Sequence, residues 1–141
     1  MKKFKNNLEN IFKLKKFNEE ECKINLGIAV SVLNEIQNKI ENNARKHHHA
    51  AAERYKDPFQ IQVWDNYILR LESEAETLME QAARAQIVVD EKKALYMEAF
   101  KELKAMEKLK EKKENEYYKE MEKKESIEID EMYAARRLRG A

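Results

Sequence analysis

Three histidines and a single cysteine are the side chains best suited to metal binding or nucleophilic chemistry in this sequence. His47, His48 and His49 are consecutive. Consecutive side chains on a helix point about 100° apart, so these rings do not converge on one ion. Cys22 has no second cysteine and no evident base beside it. We therefore expect no metal site and no catalytic cysteine.

The carboxylates and glycines argue against two further kinds of chemistry. The 27 Asp and Glu residues are spread over polar faces, and no two of them stand out as an acid–base pair. The sequence shows no glycine-rich segment of the kind that cradles phosphate. We expect a protein that is not an enzyme and that uses no cofactor.

The elements that carry these residues are expected to be helices. Only 2 Gly and 1 Pro occur in 141 residues, whereas sheet-rich folds need frequent turns built from these residues. Charged residues make up 39% of the chain, and a composition rich in Lys and Glu is typical of coiled coils. The sequence predicts an all-α protein with a single domain over residues 1–141.

Charge and hydropathy limit the partners and the location. Lys and Arg number 28 against 27 acidic residues, so no net field favours nucleic acid. The most apolar window, residues 26–33, is far shorter than the roughly 20 residues of a membrane-spanning helix. The opening residues also have no apolar core of signal-peptide length. We expect a cytoplasmic protein that does not insert into a membrane.

Apolar residues recur at heptad spacing in the first part of the chain. Steps of four and three residues alternate, which is the pattern of a coiled-coil seam, at Cys22, Leu26, Ala29, Leu33, Ile36 and Ile40. Phe4, Leu8 and Ile11 have the same spacing in a different phase. This change of phase indicates either a local disruption of the seam or a stretch that packs against something else.

One strong helix-start signal lies inside the chain. Asp57 suits an N-cap, and Pro58 suits the first helical position, where no N–H is needed. The sequence therefore predicts a first helix over about 4–55, a turn at about 54–58 and a second helix over about 58–137.

The second helix carries the longest heptad pattern. Its seam positions, of which only Lys92 is not apolar, are Trp64, Ile68, Leu71, Ala75, Leu78, Ala82, Ala85, Val89, Lys92, Tyr96, Ala99, Leu103 and Met106. A period of about 3.5 residues sustained over this length is typical of a left-handed coiled coil.

The two seams together predict the architecture. Folding the chain back near residue 57 places position n opposite about position 114 − n. The N-terminus of helix one then lies opposite the place where the apolar stripe of helix two ends, after Met106. We predict a long antiparallel two-helix coiled-coil hairpin with a longer second helix, in which residues from about 112 to 137 extend beyond the pair as a charged helix.

Two groups of side chains lie outside this seam and are candidate contact surfaces. Ile24, Ile28 and Val32 fall on the far side of helix one. Either a second copy or a partner covers them, or they remain an exposed apolar patch. Large side chains, including Phe59 and Tyr67, crowd the turn. Closure of the hairpin explains some of these, and partner docking explains the others.

Basic residues concentrate at the end of the hairpin opposite the turn. The C-terminus carries Arg136, Arg137 and Arg139. In the N-terminal stretch Glu9 is the single acidic residue, and the basic residues are Lys2, Lys3, Lys5, Lys13, Lys15 and Lys16. These clusters either form a solvated end of the hairpin or contact an acidic protein surface. Nucleic acid is disfavoured because no aromatic platform accompanies the lysines.

Both ends of the chain carry recognisable runs. Residues 4–16 read FKNNLENIFKLKK and lead to an acidic triplet at 19–21, and residues 106–113 read MEKLKEKK. EYY follows at 116–118 and EIDE at 128–131, ahead of Arg136 and Arg137. In order, spacing and position these runs resemble the FliJ family, small helical-hairpin proteins of the bacterial flagellar type III export apparatus. The resemblance covers essentially the whole chain.

The resemblance implies partners and a location. Proteins of this family stand as a stalk in the ring of a hexameric export ATPase, and they bind the cytoplasmic domain of the export gate and the substrate chaperones. This implies peripheral association with the inner membrane through the apparatus. Candidate ATPase-ring contacts are Lys2, Lys3, Lys5, Lys13, Lys112, Lys113, Arg136 and Arg137. Candidate gate or chaperone contacts are Ile24, Ile28, Val32, Tyr55, Phe59 and Tyr67.

Two alternative functions are compatible with the same sequence. One is a generic coiled-coil scaffold or chaperone that self-associates through the stripe containing Ile24. The other is the equivalent stalk of a non-flagellar type III secretion system.

Overall fold

The protein is described by a computed structural model that covers residues 2–140, with side chains for residues 7–140. Helix α1 covers Lys2–Glu53 and helix α2 covers Ile61–Arg139, with one 3-10 turn at Pro58–Gln60 between them. The two helices pack against each other, and residues 2–140 contain no strand. The predicted all-α helical hairpin with a longer second helix is confirmed.

The chain divides into two compact units, and each is described by itself. The turn unit is Asn18–Ala99, and the terminal unit combines Met1–Phe17 with Phe100–Ala141. Each unit contains a part of α1 and a part of α2.

The turn forms around the helix-start signal that the sequence predicts. Asp57 is the N-cap, and its Oδ1 accepts a hydrogen bond from the N–H of Phe59 at 3.0 Å. Pro58 follows at the first helical position, where its missing N–H costs no hydrogen bond. At the end of α1, the N–H of Arg54 donates to the carbonyl oxygen of Ala50 at 3.0 Å.

The core of the turn unit combines large and small aliphatic side chains. Ala29, Leu33 and Val89 form a buried cluster, against which Leu26, Ala82 and Ala85 pack. Alanines opposite leucines let two helices approach closely, and the leucines then lose most of their contact with water. This apolar burial is the main favourable contribution to packing in the unit.

The seam positions predicted for α2 are all buried or half-buried, from Trp64 to Met106. The six positions predicted for α1, from Cys22 to Ile40, are buried or half-buried as well. The seam of α1 also uses polar residues that hydropathy does not reveal. Asn43 is buried, and His47 and Arg54 are half-buried at the same heptad spacing.

The predicted disruption of phase near the start of α1 is wrong. Ile11 is 46% exposed, whereas Phe12 is half-buried and has the Lys110 ammonium 4.7 Å from its ring centroid. Leu8, Phe12 and Lys15 are the half-buried seam positions of α1 in the terminal unit. Because these positions have the same heptad phase as Cys22, no change of phase is needed. The side chain of Phe4 lies outside the described residues.

Contacts between the helices define the register within each unit. Arg54 pairs with Asp65 in the turn unit, and Lys15 pairs with Glu102 in the terminal unit. Position n of α1 therefore faces about position 118 − n of α2. The predicted register is wrong by about one helical turn. The chain reversal is centred near Phe59 rather than on residue 57, because the 3-10 turn at Pro58–Gln60 belongs to the connection.

Asn43 is a buried polar side chain in the seam, and its Nδ2 donates to the carbonyl oxygen of Leu71 at 3.0 Å. A buried seam Asn costs stability and fixes register. We expect Asn43→Leu to raise the free energy of unfolding by about 1 kcal/mol and to loosen the register. Thermal denaturation and amide hydrogen exchange measure the two effects. The exposed neighbour Asn42 supplies the control Asn42→Leu, and a lower stability for Asn43→Leu alone would contradict the prediction.

Candidate interaction surfaces

The tip of the turn unit exposes aromatic side chains between neutralised charges. Phe59 is 95% exposed and Tyr55 is 79% exposed. The neighbouring charges are paired, Arg54 with Asp65 and Lys56 with Glu53. The two aromatic rings are the large apolar groups exposed here, with Asp57 between them and the Arg54 guanidinium 5.6 Å from the Tyr55 ring centroid. We call Tyr55, Phe59 and the exposed Val63 the aromatic tip.

The pairs at the tip are short but accessible to solvent. Arg54 Nε lies 2.6 Å from Asp65 Oδ1, and the hydrogen bond runs from Nη2 to Oδ2 at 3.3 Å. Lys56 donates to Glu53 at 2.8 Å, and this hydrogen bond holds the pKa of the Glu53 carboxyl below its ordinary value. The stabilisation from this contact is present above the ordinary Glu pKa and is lost as the pH falls through the lowered one.

Tyr67 is half-buried and belongs to an aromatic cluster beside the seam. Its ring meets the ring of Trp64 edge-on at 6.0 Å, and the guanidinium of Arg70 lies 5.9 Å from it. Trp64 in turn meets His49 at 6.3 Å. The ring of Tyr67 thus packs partly within the hairpin, whereas the rings of the aromatic tip are exposed.

The histidine run is divided between two environments. His47 is half-buried in the seam, with Nε2 3.4 Å from Oε1 of Glu72, while His48 is exposed. In the described part of the chain, no three His, Cys, Asp or Glu side chains are placed to hold a metal ion. Cys22 is half-buried, with Sγ 4.0 Å from Oδ1 of Asn18.

The stripe of Ile24, Ile28 and Val32 is exposed in the turn unit, at 63%, 58% and 47%. Sequence reasoning placed these residues outside the seam and missed their counterparts on α2. Ile87, Val88 and Leu95 are exposed large aliphatic side chains of the same unit. They were missed because the predicted register was wrong. With position n facing about 118 − n, Val32 and Val88 lie at about the same level of the hairpin. Ile28, Val32, Val88 and Leu95 fall at heptad positions on one flank of the seam, whereas Ile24 and Ile87 fall at the position that points away from the partner helix. We call the first four residues the aliphatic face.

The candidate ring contacts are not all close to one another. Lys13 and Lys112 are exposed, and Lys113 is half-buried with its ammonium 3.5 Å from Glu116. Arg136 and Arg137 lie in the last turn of α2, about 35 Å further along the helix than Lys113 at 1.5 Å per residue. The side chains of Lys2, Lys3 and Lys5 lie outside the described residues.

The part of α2 that follows Lys113 is exposed on every face. All residues from 114 to 140 are exposed, and we call 114–139 the extension. Its exposed large side chains are Tyr117, Tyr118, Met121, Ile127, Ile129, Met132, Tyr133 and Leu138. Residues 120–131 carry six acidic side chains against two lysines, and Arg136, Arg137 and Arg139 follow. The extension thus offers apolar side chains along its whole length, an acidic stretch and a basic end.

Together, these features define an all-α helical-hairpin protein. Its candidate functional groups are exposed apolar and charged side chains. A model of the family described as "Flagellar FliJ protein" matches residues 4–141. The chain belongs to the FliJ family, and it is therefore a component of the flagellar protein export apparatus. No curated protein and no solved structure matches the chain at a significant level. None of the helices in residues 2–140 has an apolar stretch sufficient to cross a membrane.

Proposed function

We propose that this protein is the coiled-coil stalk of the flagellar export ATPase. In this role it engages the hexameric ATPase ring and links the ring to the cytoplasmic domain of the export gate and to substrate chaperones. The observation that carries the proposal is the family match over residues 4–141. The protein would act in the cytoplasm and at the inner membrane through these partners, without catalysing a reaction itself.

The ring contact is assigned to the extension and to the basic residues of the terminal unit. A helix that protrudes with all faces exposed can enter a partner without unpacking its own hairpin. Lys13, Lys112, Lys113, Arg136 and Arg137 supply positive charge that an acidic ring surface would attract. Lys2, Lys3 and Lys5 belong to the same proposed contact.

The gate and chaperone contacts are assigned to the turn unit. The aromatic tip suits an apolar pocket, because exposed aromatic rings bury large areas at low entropic cost. The aliphatic face, which includes Ile28 and Val32 on α1, suits an amphipathic helix of a chaperone. Ile24, on the neighbouring surface of α1, belongs to the same proposed contact. Tyr67 would support the tip through Trp64 and Arg70 rather than contact a partner.

Turnover of the export ATPase from the same organism tests the proposed function. The purified full-length protein is expected to bind the ATPase and to raise its rate of ATP hydrolysis, with no hydrolysis by the protein alone. Deletion of the gene is expected to reduce flagellar export. Unchanged turnover together with normal export in the deletion strain would refute the stalk function.

Phe59→Ala tests the tip. Because Phe59 is 95% exposed, the substitution is expected to leave the thermal stability unchanged. It is expected to weaken binding to the cytoplasmic domain of the export gate by about 30-fold, the effect of losing one buried aromatic anchor. Titration calorimetry measures this affinity. Tyr118→Ala, at 66% exposure in the extension, is the matched control and should not alter gate binding.

A further inference from the structure

The aliphatic face lies on one flank of the seam in the turn unit. Val32 and Val88 immediately precede Leu33 and Val89, which belong to one buried cluster. In an antiparallel pair, residues that precede equivalent seam positions share a flank. Nearby residues at the same heptad positions do share one, because Lys39, Lys46 and Glu74 line a single groove.

Two uncharged runs surround Val32 and Val88. Residues 24–34 contain no ionisable side chain, and neither do residues 85–89, in a chain of which 39% is charged. The register places these two runs opposite each other in the turn unit. Exposed Glu91 lies on the same flank between Val88 and Leu95. The part of the face around Val32 and Val88 has no charged groups that binding would have to desolvate.

The area available is close to the smallest that a specific dimer needs. A contact over about 16 residues of each helix extends about 24 Å along the hairpin, and two helices side by side are about 20 Å across. Two copies would then bury on the order of 1,000 Å² in total, near the lower limit for a specific interface. The four half-exposed aliphatic side chains Ile28, Val32, Val88 and Leu95 would form its apolar core.

Charges at the border of the face fit a second copy in one orientation. Glu35 and Arg84 are exposed and lie at about the same level of the hairpin. Two copies packed face to face with their turns at the same end place α1 of one copy over α2 of the other. Glu35 of each copy then meets Arg84 of the other, on both sides of the interface.

We propose that a second copy of this chain covers the aliphatic face while no export partner is bound. Self-association through this face requires no other protein. The proposal rests on the proposed function only in one respect, which is that an export partner displaces the second copy. Because the same side chains are then buried by either occupant, dimer formation and chaperone binding exclude each other.

Sedimentation equilibrium of the full-length protein tests this proposal. The wild type is expected to form a dimer at protein concentrations of about 10–100 μM. The Ile28→Glu variant is expected to be monomeric with unchanged helicity. Ile127→Glu is the matched control, because Ile127 is 57% exposed and Ile28 is 58% exposed. It is expected to remain dimeric. A monomeric wild type, or a dimer that survives Ile28→Glu, would overturn the proposal.

Charge reversal tests the orientation of the two copies. Glu35→Arg alone is expected to weaken the dimer about tenfold, and combining it with Arg84→Glu is expected to restore it. No restoration would overturn the parallel arrangement. Stimulation of the export ATPase is measured on the same variants. A monomeric wild type that stimulates turnover would refute only the dimer, while a dimer without stimulation would refute only the stalk function.

Discussion

A chain that ends at Lys113 is expected to keep the thermal stability of the full-length protein and to lose affinity for the hexameric export ATPase by about 100-fold or more. The stability should persist because all residues from 114 to 140 are exposed, so their removal uncovers no apolar core. The affinity should fall because the extension is the segment that we assign to the ring.

Two measurements separate these effects. Circular dichroism during heating reports the stability of the hairpin, and surface plasmon resonance against the assembled ATPase reports binding. Charge reversals within the full-length chain supply a matched pair, Arg136→Glu with Arg137→Glu against Lys123→Glu with Lys124→Glu. The arginine variant is expected to bind more weakly than the lysine variant. Equal losses of stability and binding in the truncated chain would remove the assignment of the extension.

Leu71→Ala is expected to lower the free energy of unfolding by about 2–4 kcal/mol, a large part of the stability of a small domain. Leu71 is only 3% exposed, and its side chain is one of the larger groups in a seam that contains many alanines. The hydrogen bond from Asn43 goes to the backbone carbonyl of Leu71, so the substitution removes side-chain packing and keeps this bond.

Leu69→Ala is the matched control, two residues away on the same helix. Leu69 is 63% exposed, so its truncation is expected to change the stability by less than about 0.5 kcal/mol. Urea denaturation of both variants measures the difference. A loss below about 1 kcal/mol for Leu71→Ala would mean that the seam can close over the missing methyl groups.

The seam of α2 could be predicted from the sequence because its apolar residues recur from Trp64 to Met106 with Lys92 as the single exception. The turn could be predicted because Asp57 and Pro58 have a local conformational preference that the tertiary structure retains. Both signals are local, and neither depends on the partner helix. The register depends on the length of the whole connection, which was underestimated because the 3-10 turn gives no distinct signal.

Polar seam residues escaped prediction for a different reason. Asn43 is buried because its amide finds a carbonyl on α2, and Lys15 is half-buried because Glu102 lies 3.0 Å away. Each partner belongs to the other helix, so hydropathy along one helix cannot reveal the contact. The α2 half of the aliphatic face was missed for the same reason, since Val88 becomes a neighbour of Val32 only after pairing.

The extension is a helix–coil equilibrium anchored at one end. Because the paired residues before 114 already hold a helical backbone, the extension needs no nucleation, and each further residue multiplies the helical weight by only about 1–1.6. It should therefore fray inward from Arg139 on warming, long before the seam melts. When a partner binds the helical form, the frayed residues become ordered and lose conformational entropy. The binding free energy must offset this loss. The length of helical extension available for binding to the ATPase ring would thus decrease as the temperature rises.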